Sequence, residues 1–193
     1  NVPSSRPPLL FTPGPLTTSI NVKQAMQIDM GSRDEAFVDI VKSVRKKVLS
    51  YSAESLNKDF ECILIQGSGT FGVESVFSSV IPSDETVLIV SNGAYGRRMV
   101  EICKAHRILY HHISMQENEI PTASLVEEAM AQNLNIKYIA LVHHETTTGA
   151  VSPIKKIGNQ IKKCRSDAVY IVDSMSGFGA LPVDVLVDKI DFL

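Results

Sequence analysis

From residue 61 onward, short apolar runs rich in β-formers alternate with stretches whose apolar residues recur at helical spacing. The runs are ECILIQ (61–66), TVLIVS (86–91), RILYHH (107–112), KYIALVH (137–143) and AVYIVD (168–173). Between successive runs lie Thr70–Val80, Ala94–His106, Ala123–Gln132 and Ile154–Arg165, each of which predicts a helix. Strands that are apolar at nearly every position, separated by helices, predict an α/β fold: a mostly parallel sheet with helices on both faces. Ahead of this block, Phe37, Ile40, Val41, Val44, Val48 and Leu49 fall three and four residues apart, predicting a long amphipathic helix over 35–50. Residues 1–20 are rich in proline and threonine and read as an extended N-terminal arm, leaving 21–193 as one large domain. The last residues, DKIDFL, read as the opening of a further strand, so the domain is expected to be incomplete.

Composition narrows the range of partners. The 19 basic and 21 acidic residues are interspersed and nearly cancel, which favours neither nucleic acid nor an anionic membrane. No apolar run approaches the ~18 residues of a membrane span, and NVPSSRPPLLFTPGP lacks the order of a secretory signal. Cys62, Cys103 and Cys164 are widely spaced and odd in number, as expected of free thiols in a reducing compartment, with the cytoplasm as the default.

Four segments carry candidate chemistry. In Gln66-Gly67-Ser68-Gly69-Thr70-Phe71-Gly72 the glycines permit a tight turn into a helix, whose N-terminal amides form an anion site. The hydroxyls of Ser68 and Thr70 make phosphate the natural guest; a turn and N-cap without a ligand is the alternative. The G-x-G-x-x-G spacing also fits a dinucleotide. That fingerprint expects a carboxylate at the end of the second strand, where Val90-Ser91-Asn92-Gly93 stands instead. No Gly-Lys-Ser/Thr follows, so a Walker loop is excluded. In the second segment, Ser91 to Arg98, Tyr95 at a strand C-terminus can stack on a planar ring or simply pack at a helix start. The third, His143-His144-Glu145-Thr146-Thr147-Thr148-Gly149, offers hydroxyls at a strand end. Its adjacent histidines point to opposite faces of a strand, which argues against a shared metal ion, as it does for His111 and His112. His106 reads as a helix-surface residue. In the fourth, Asp173 ends a buried strand, where a carboxylate needs a cationic partner. A protonated pyridinium nitrogen is one such partner; an N-cap or a buried salt bridge are the structural alternatives. A phosphate cradle, a stacking aromatic, a hydroxyl donor and a carboxylate, all at strand ends, form one coherent pocket.

LLFTPGPLTTS (9–19), QGSGTFGVES (66–75), VLIVSNGAYGRRM (87–99), VHHETTTG (142–149) with Pro153, and IVDSMSGFG (171–179) together resemble the class V aminotransferases of fold type I. The resemblance spans nearly the whole chain in the expected order. It implies the large domain of a fold-type I enzyme, with pyridoxal 5'-phosphate held by Ser68, Gly69 and Thr70 at its phosphate. It further implies Tyr95 stacked on the ring, Thr146 at the phenolic oxygen, Asp173 at the ring nitrogen and Ser176 close by. Catalytic duty falls on Asp173 and Tyr95. Gly14 and, more loosely, Arg33 are implied at the substrate end. The substrates implied are a small amine and a 2-oxo acid: 2-aminoethylphosphonate gives its amino group to pyruvate, yielding phosphonoacetaldehyde and alanine. Alanine–glyoxylate or serine–pyruvate exchange is the alternative within the family. A homodimer, with neither nucleic acid nor membrane as partner, is implied as well. The family's coenzyme-bonding lysine follows an aspartate–aromatic–leucine strand, and here Asp191-Phe192-Leu193 closes the sequence; Lys189 precedes that strand and is expected to be exposed. This stretch alone is therefore expected to bind coenzyme without transaminating, and a non-catalytic chain or a nucleotide-binding oxidoreductase remain the readings to test against.

Overall fold

The computed structural model describes residues 9–12, 14, 16–53 and 60–193. Among the described residues six helices occur: α1 (Ile20–Ala25), α2 (Glu35–Ser52), α3 (Gly69–Val80), α4 (Ala94–His106), α5 (Ala123–Gln132) and α6 (Ile154–Cys164). The strands are β1 (Thr86–Ser91), β2 (Leu109–Ser114), β3 (Ile136–Val142), β4 (His144–Glu145), β5 (Ala150–Val151) and β6 (Val169–Asp173). Four of them form a wholly parallel sheet in the order β2-β1-β3-β6, and β4 and β5 make a short antiparallel hairpin. The α/β fold with a parallel sheet and flanking helices is thus the one the apolar pattern predicts.

The pleat sorts each strand's side chains between two cores. Leu88 and Val90 of β1, Ile139 and Leu141 of β3, and Tyr170 and Val172 of β6 face α5 and α6, meeting Val126, Met130, Ile157 and Ile161. Their neighbours Val87, Ile89, Tyr138, Ala140 and Ile171 face the other way, onto Phe77 of α3 and Met99, Val100 and Cys103 of α4. Nearly every residue of β1 and β3 is buried, so each large side chain there contributes ~1.5–3 kcal/mol of burial, whereas β2 at the sheet edge is exposed or half-buried. That two-sided burial also explains why the strands read as continuous apolar runs. Gly158 of α6 lets the helix lie against the 184–190 turn: a Cβ there would fall 2.0 Å from the Asp188 carbonyl oxygen.

Three segments differ from expectation. ECILIQ (61–66) is not a strand; it runs without a ladder partner, held by hydrogen bonding from Arg45 Nε to the Cys62 carbonyl (2.7 Å) and by an Arg45–Glu61 ion pair. A strand exists only by pairing, and the outer edge of β6 is taken up by Phe192 instead: Val172 N–H donates to the Phe192 carbonyl at 2.8 Å. With the Asp191 and Phe192 amides donating to the Tyr170 carbonyl (2.9 and 3.2 Å), DKIDFL forms an isolated parallel bridge to Ile171 in place of the expected strand. Secondly, α1 lies directly after the expected arm, capped by Ser19, whose Oγ accepts from Val22 N–H at 3.4 Å. It buries no residue, so it left no apolar periodicity in the sequence. Within 1–20, residues 1–8, 13 and 15 lie outside the described residues, and the remainder before α1 has neither helix nor strand. Finally, α2 forms over the expected span, but Ile40 and Val44 on its apolar face are exposed.

Candidate active site

In the order β2-β1-β3-β6 the chain direction of build-up reverses between β1 and β3, and ligands in open parallel sheets collect beyond the strand C-termini at such a point. A cleft of about 320 Å³ opens beside it, lined by Gly14, Ser68, Gly69, Thr70, Val73, Tyr95, Arg98, Met99, Ile102, Asp173 and Met175. Five sequence-derived candidates other than Gly14 are therefore brought together: Ser68, Gly69, Thr70, Tyr95 and Asp173. Gly14 joins them from the N-terminal segment.

Two helix N-termini, those of α3 and α4, line the cleft, and they differ in what they hold. At α4, Ala94 N–H donates to Thr147 Oγ1 (3.4 Å), Tyr95 N–H to both carboxylate oxygens of Glu145 (3.4 and 3.2 Å) and Gly96 N–H to Glu145 Oε2 (3.4 Å). Thr147 Oγ1 also donates to Glu145 Oε1 at 2.7 Å. The positive end of α4 is thus neutralised internally by a carboxylate that is 1% exposed. At α3, Ser68 Oγ accepts from Phe71 N–H (3.3 Å), while the amides of Gly69 and Thr70 have no partner among the described residues. The open anion site is the α3 end. It can remain open because residue 69 is glycine: a Cβ there would sit 2.8 Å from the Met175 methyl.

Asp173 ends β6 half-buried, with Oδ1 accepting from Met175 N–H at 3.0 Å. Burial pushes its carboxyl above the usual range; the Met175 amide pulls it back, and the charge of Glu145 adds a further upward push. No cation among the described residues pairs with it. Neither structural alternative is observed among the described residues: no helix begins at Asp173 and no cation pairs with it, and the carboxylate closes only a local turn onto the Met175 amide. Tyr95 leaves 43% of its surface open toward the cleft and solvent.

Three candidates lie apart from the lining. Thr146 sits in the turn joining β4 and β5. Ser176 donates to the His144 carbonyl (2.8 Å) and contacts His144 Nδ1 (2.9 Å). Arg33 is exposed in the turn before α2. The two histidines of the third segment have separate partners, His143 Nδ1 meeting Ser174 Oγ at 2.9 Å. Among the described residues no group of three or more metal-ligating side chains gathers. Lys189 is exposed, with a left-handed φ of 62°. The sequence reading passed over Glu145, Arg98 and Met175. Arg98 had a detectable signal: it stands three residues after Tyr95, on the same helix face. Glu145 had none beyond its place in the threonine segment, because its partners on α4 lie 49 and 50 residues away.

The family model for "Aminotransferase class-V" matches residues 19–193. The chain belongs to the class-V aminotransferase family. Among curated class-V relatives, a 2-aminoethylphosphonate–pyruvate transaminase from Phocaeicola vulgatus is 42% identical, over 97% of this chain and 51% of its own length. One from Pseudomonas putida is 41% identical, over 93% of this chain and 48% of its own length. The chain spans about half the length of the curated relatives it matches. The solved structure of an alanine–glyoxylate aminotransferase from Nostoc sp. superposes with a TM-score of 0.84 at 25% identity, covering 99% of this chain and 50% of that one.

Proposed function

We propose that this chain carries the coenzyme-holding part of a pyridoxal-phosphate-dependent transaminase that moves the amino group of 2-aminoethylphosphonate to pyruvate, giving phosphonoacetaldehyde and alanine. The observation that carries the coenzyme reading is the division of labour in one cleft: free amides and hydroxyls at α3, a carboxylate without a cationic partner at the end of β6, and an aromatic ring on α4. The substrate pair rests on the relatives named for it at 41–42% identity.

The residues present fit pyridoxal phosphate. Gly69 keeps the cradle clear of a Cβ, and the amides of Gly69 and Thr70, with the hydroxyls of Ser68 and Thr70, would hold the phosphate. Ser68 keeps its proton free to donate, since its oxygen already accepts from Phe71. Tyr95 offers a ring face and fixes the plane. Asp173, destabilised as an anion by burial, gains what it lacks from a protonated ring nitrogen and holds that proton in place. Thr146 at the phenolic oxygen, Ser176 beside Asp173, and Gly14 and Arg33 toward the substrate belong to the same proposal. When bound, the coenzyme supplies a carbonyl that takes up the amino group and an electron-poor ring that spreads negative charge.

In the same reading residues 1–20 form an arm and 21–193 the large domain. Exposed Ile20, Val22, Met26, Ile40 and Val44 in the stretch from α1 to α2 support a homodimer, whose interface would cover apolar side chains that the single chain leaves in water. The three free cysteines support a cytoplasmic setting. The test is steady-state alanine formation by the full-length protein. A higher kcat/KM with 2-aminoethylphosphonate and pyruvate than with serine and pyruvate, or with alanine and glyoxylate, is expected. Preference for serine or for the alanine–glyoxylate pair would overturn the assignment of substrate.

A further inference from the structure

Among the described residues that line the cleft, Arg98 is the only cation and Asp173 the only anion. Arg98 has neither hydrogen bond nor carboxylate within ion-pair distance among the described residues. Its neighbour Arg97 shows the contrast: it is bound to Glu117 at 3.1 Å, away from the cleft. An arginine that lies on the wall of a pocket and forms no internal pair is placed for a ligand.

Helical phase says which part of the ligand it meets. Tyr95, Arg98 and Ile102 lie three and four residues apart on α4, so one helix face presents all three to the cleft. Arg98 is a turn beyond Tyr95, and the cleft continues past it between Ile102 of α4 and Val73 of α3. The ring-stacking position and the arginine are therefore distinct places, and Arg98 shares the cleft wall with the open α3 amides.

Charge balance points the same way. A phosphate monoester carries roughly −1.5 to −2 at neutral pH, whereas a helix N-terminus offers only about +0.5. The second helix end cannot make up the difference, because Glu145 already occupies it. A guanidinium, always charged and shaped to meet two phosphate oxygens at once, covers most of the remainder.

We propose that Arg98 is the counter-charge for the phosphate of the coenzyme, and that it is what makes this site prefer a phosphorylated pyridine ligand to its dephosphorylated form. The proposal rests on the coenzyme reading above. A phosphonate group on the substrate has similar chemistry, so the experiment separates the two sources.

The full-length protein, freed of coenzyme, is titrated with pyridoxamine 5'-phosphate and with pyridoxamine, two ligands that differ only in the phosphate and need no covalent bond to a lysine. The wild type is expected to bind the phosphorylated ligand at least ~100-fold more tightly. Arg98→Met should weaken that ligand ~10–100-fold while leaving pyridoxamine affinity unchanged, and Arg98→Lys should recover part of the loss. Unchanged pyridoxamine binding also shows that the variant is folded. Equal weakening of both ligands would reduce Arg98 to a structural residue and overturn the proposal. So would an unaltered preference accompanied by a raised KM for 2-aminoethylphosphonate, which would assign Arg98 to the substrate. A wild type that binds neither ligand would sink the coenzyme reading itself.

Discussion

Glu145 offers the sharpest stability prediction, because one buried carboxylate ties together two walls of the site. It accepts from the amides of Tyr95 and Gly96 at the start of α4, and from the amide (3.4 Å) and hydroxyl (2.7 Å) of Thr147 in the β4–β5 turn. Glu145→Ala strands these donors in a place with almost no solvent access. Each hydrogen bond to a charged group is worth ~1.5–3 kcal/mol and each stranded buried donor costs ~1–3 kcal/mol. Three of these contacts are long, so the lower ends apply, and a total loss of about 3–4 kcal/mol is expected. For a domain of this size that corresponds to a fall in Tm of roughly 6–16 °C. Glu145→Gln keeps one acceptor oxygen but turns an NH2 toward backbone amides, and should lose about half as much. Urea unfolding and thermal melts of the two variants beside the wild type supply the numbers. A loss below about 1 kcal/mol for the alanine variant would mean that water or a neighbouring side chain satisfies α4, and the clamp would be refuted.

Gly158→Ala should destabilise strongly, by about 3 kcal/mol or more, since its Cβ would meet the Asp188 carbonyl at 2.0 Å and Tyr170 at 3.0 Å; chemical denaturation checks this. Cys103 is fully buried, and burial pushes its thiol up to about 12, so in the native protein at pH 8 it should resist iodoacetamide. The exposed Cys164 should label readily, as mass spectrometry of the peptides would show. Burial lowers the proton affinity of His143 from its ordinary 6.5. The unfolded chain then binds the proton more tightly, so the contribution to stability is complete above pH 6.5 and is lost as pH falls through the lower folded value. Urea midpoints at pH 8 and pH 5 should accordingly differ less in His143→Asn than in the wild type.

The sequence made the central sheet legible because burial on both faces leaves an unambiguous record: Val87 to Val90 and Ile139 to Val142 are apolar at every position. The bounds of α4 and α5 follow from the turn at Gly93 and the cap at Thr122, whose Oγ1 accepts from Leu125 N–H. ECILIQ misled because a short apolar run reports the capacity to form a strand, while a strand also needs a neighbour. At the site, Ser68 to Thr70, Tyr95 and Asp173 could be found because each stands at the end of a strand or the start of a helix. Glu145 could not: its role depends on amides that approach only when β3 and β1 lie side by side. Arg97 and Arg98 are adjacent, but only Arg98 stands at helical spacing from Tyr95, and the fold accordingly sends Arg97 to Glu117 and Arg98 to the cleft.

A crystal structure of the full-length protein with pyridoxamine 5'-phosphate would bear most directly on the claim that this cleft is a coenzyme site. The phosphate should lie on the amides of Gly69 and Thr70, the ring against Tyr95, and the ring nitrogen within hydrogen-bonding distance of an Asp173 carboxylate oxygen. A ligand found with its phosphate elsewhere, or with Asp173 still turned only to the Met175 amide, would contradict the account.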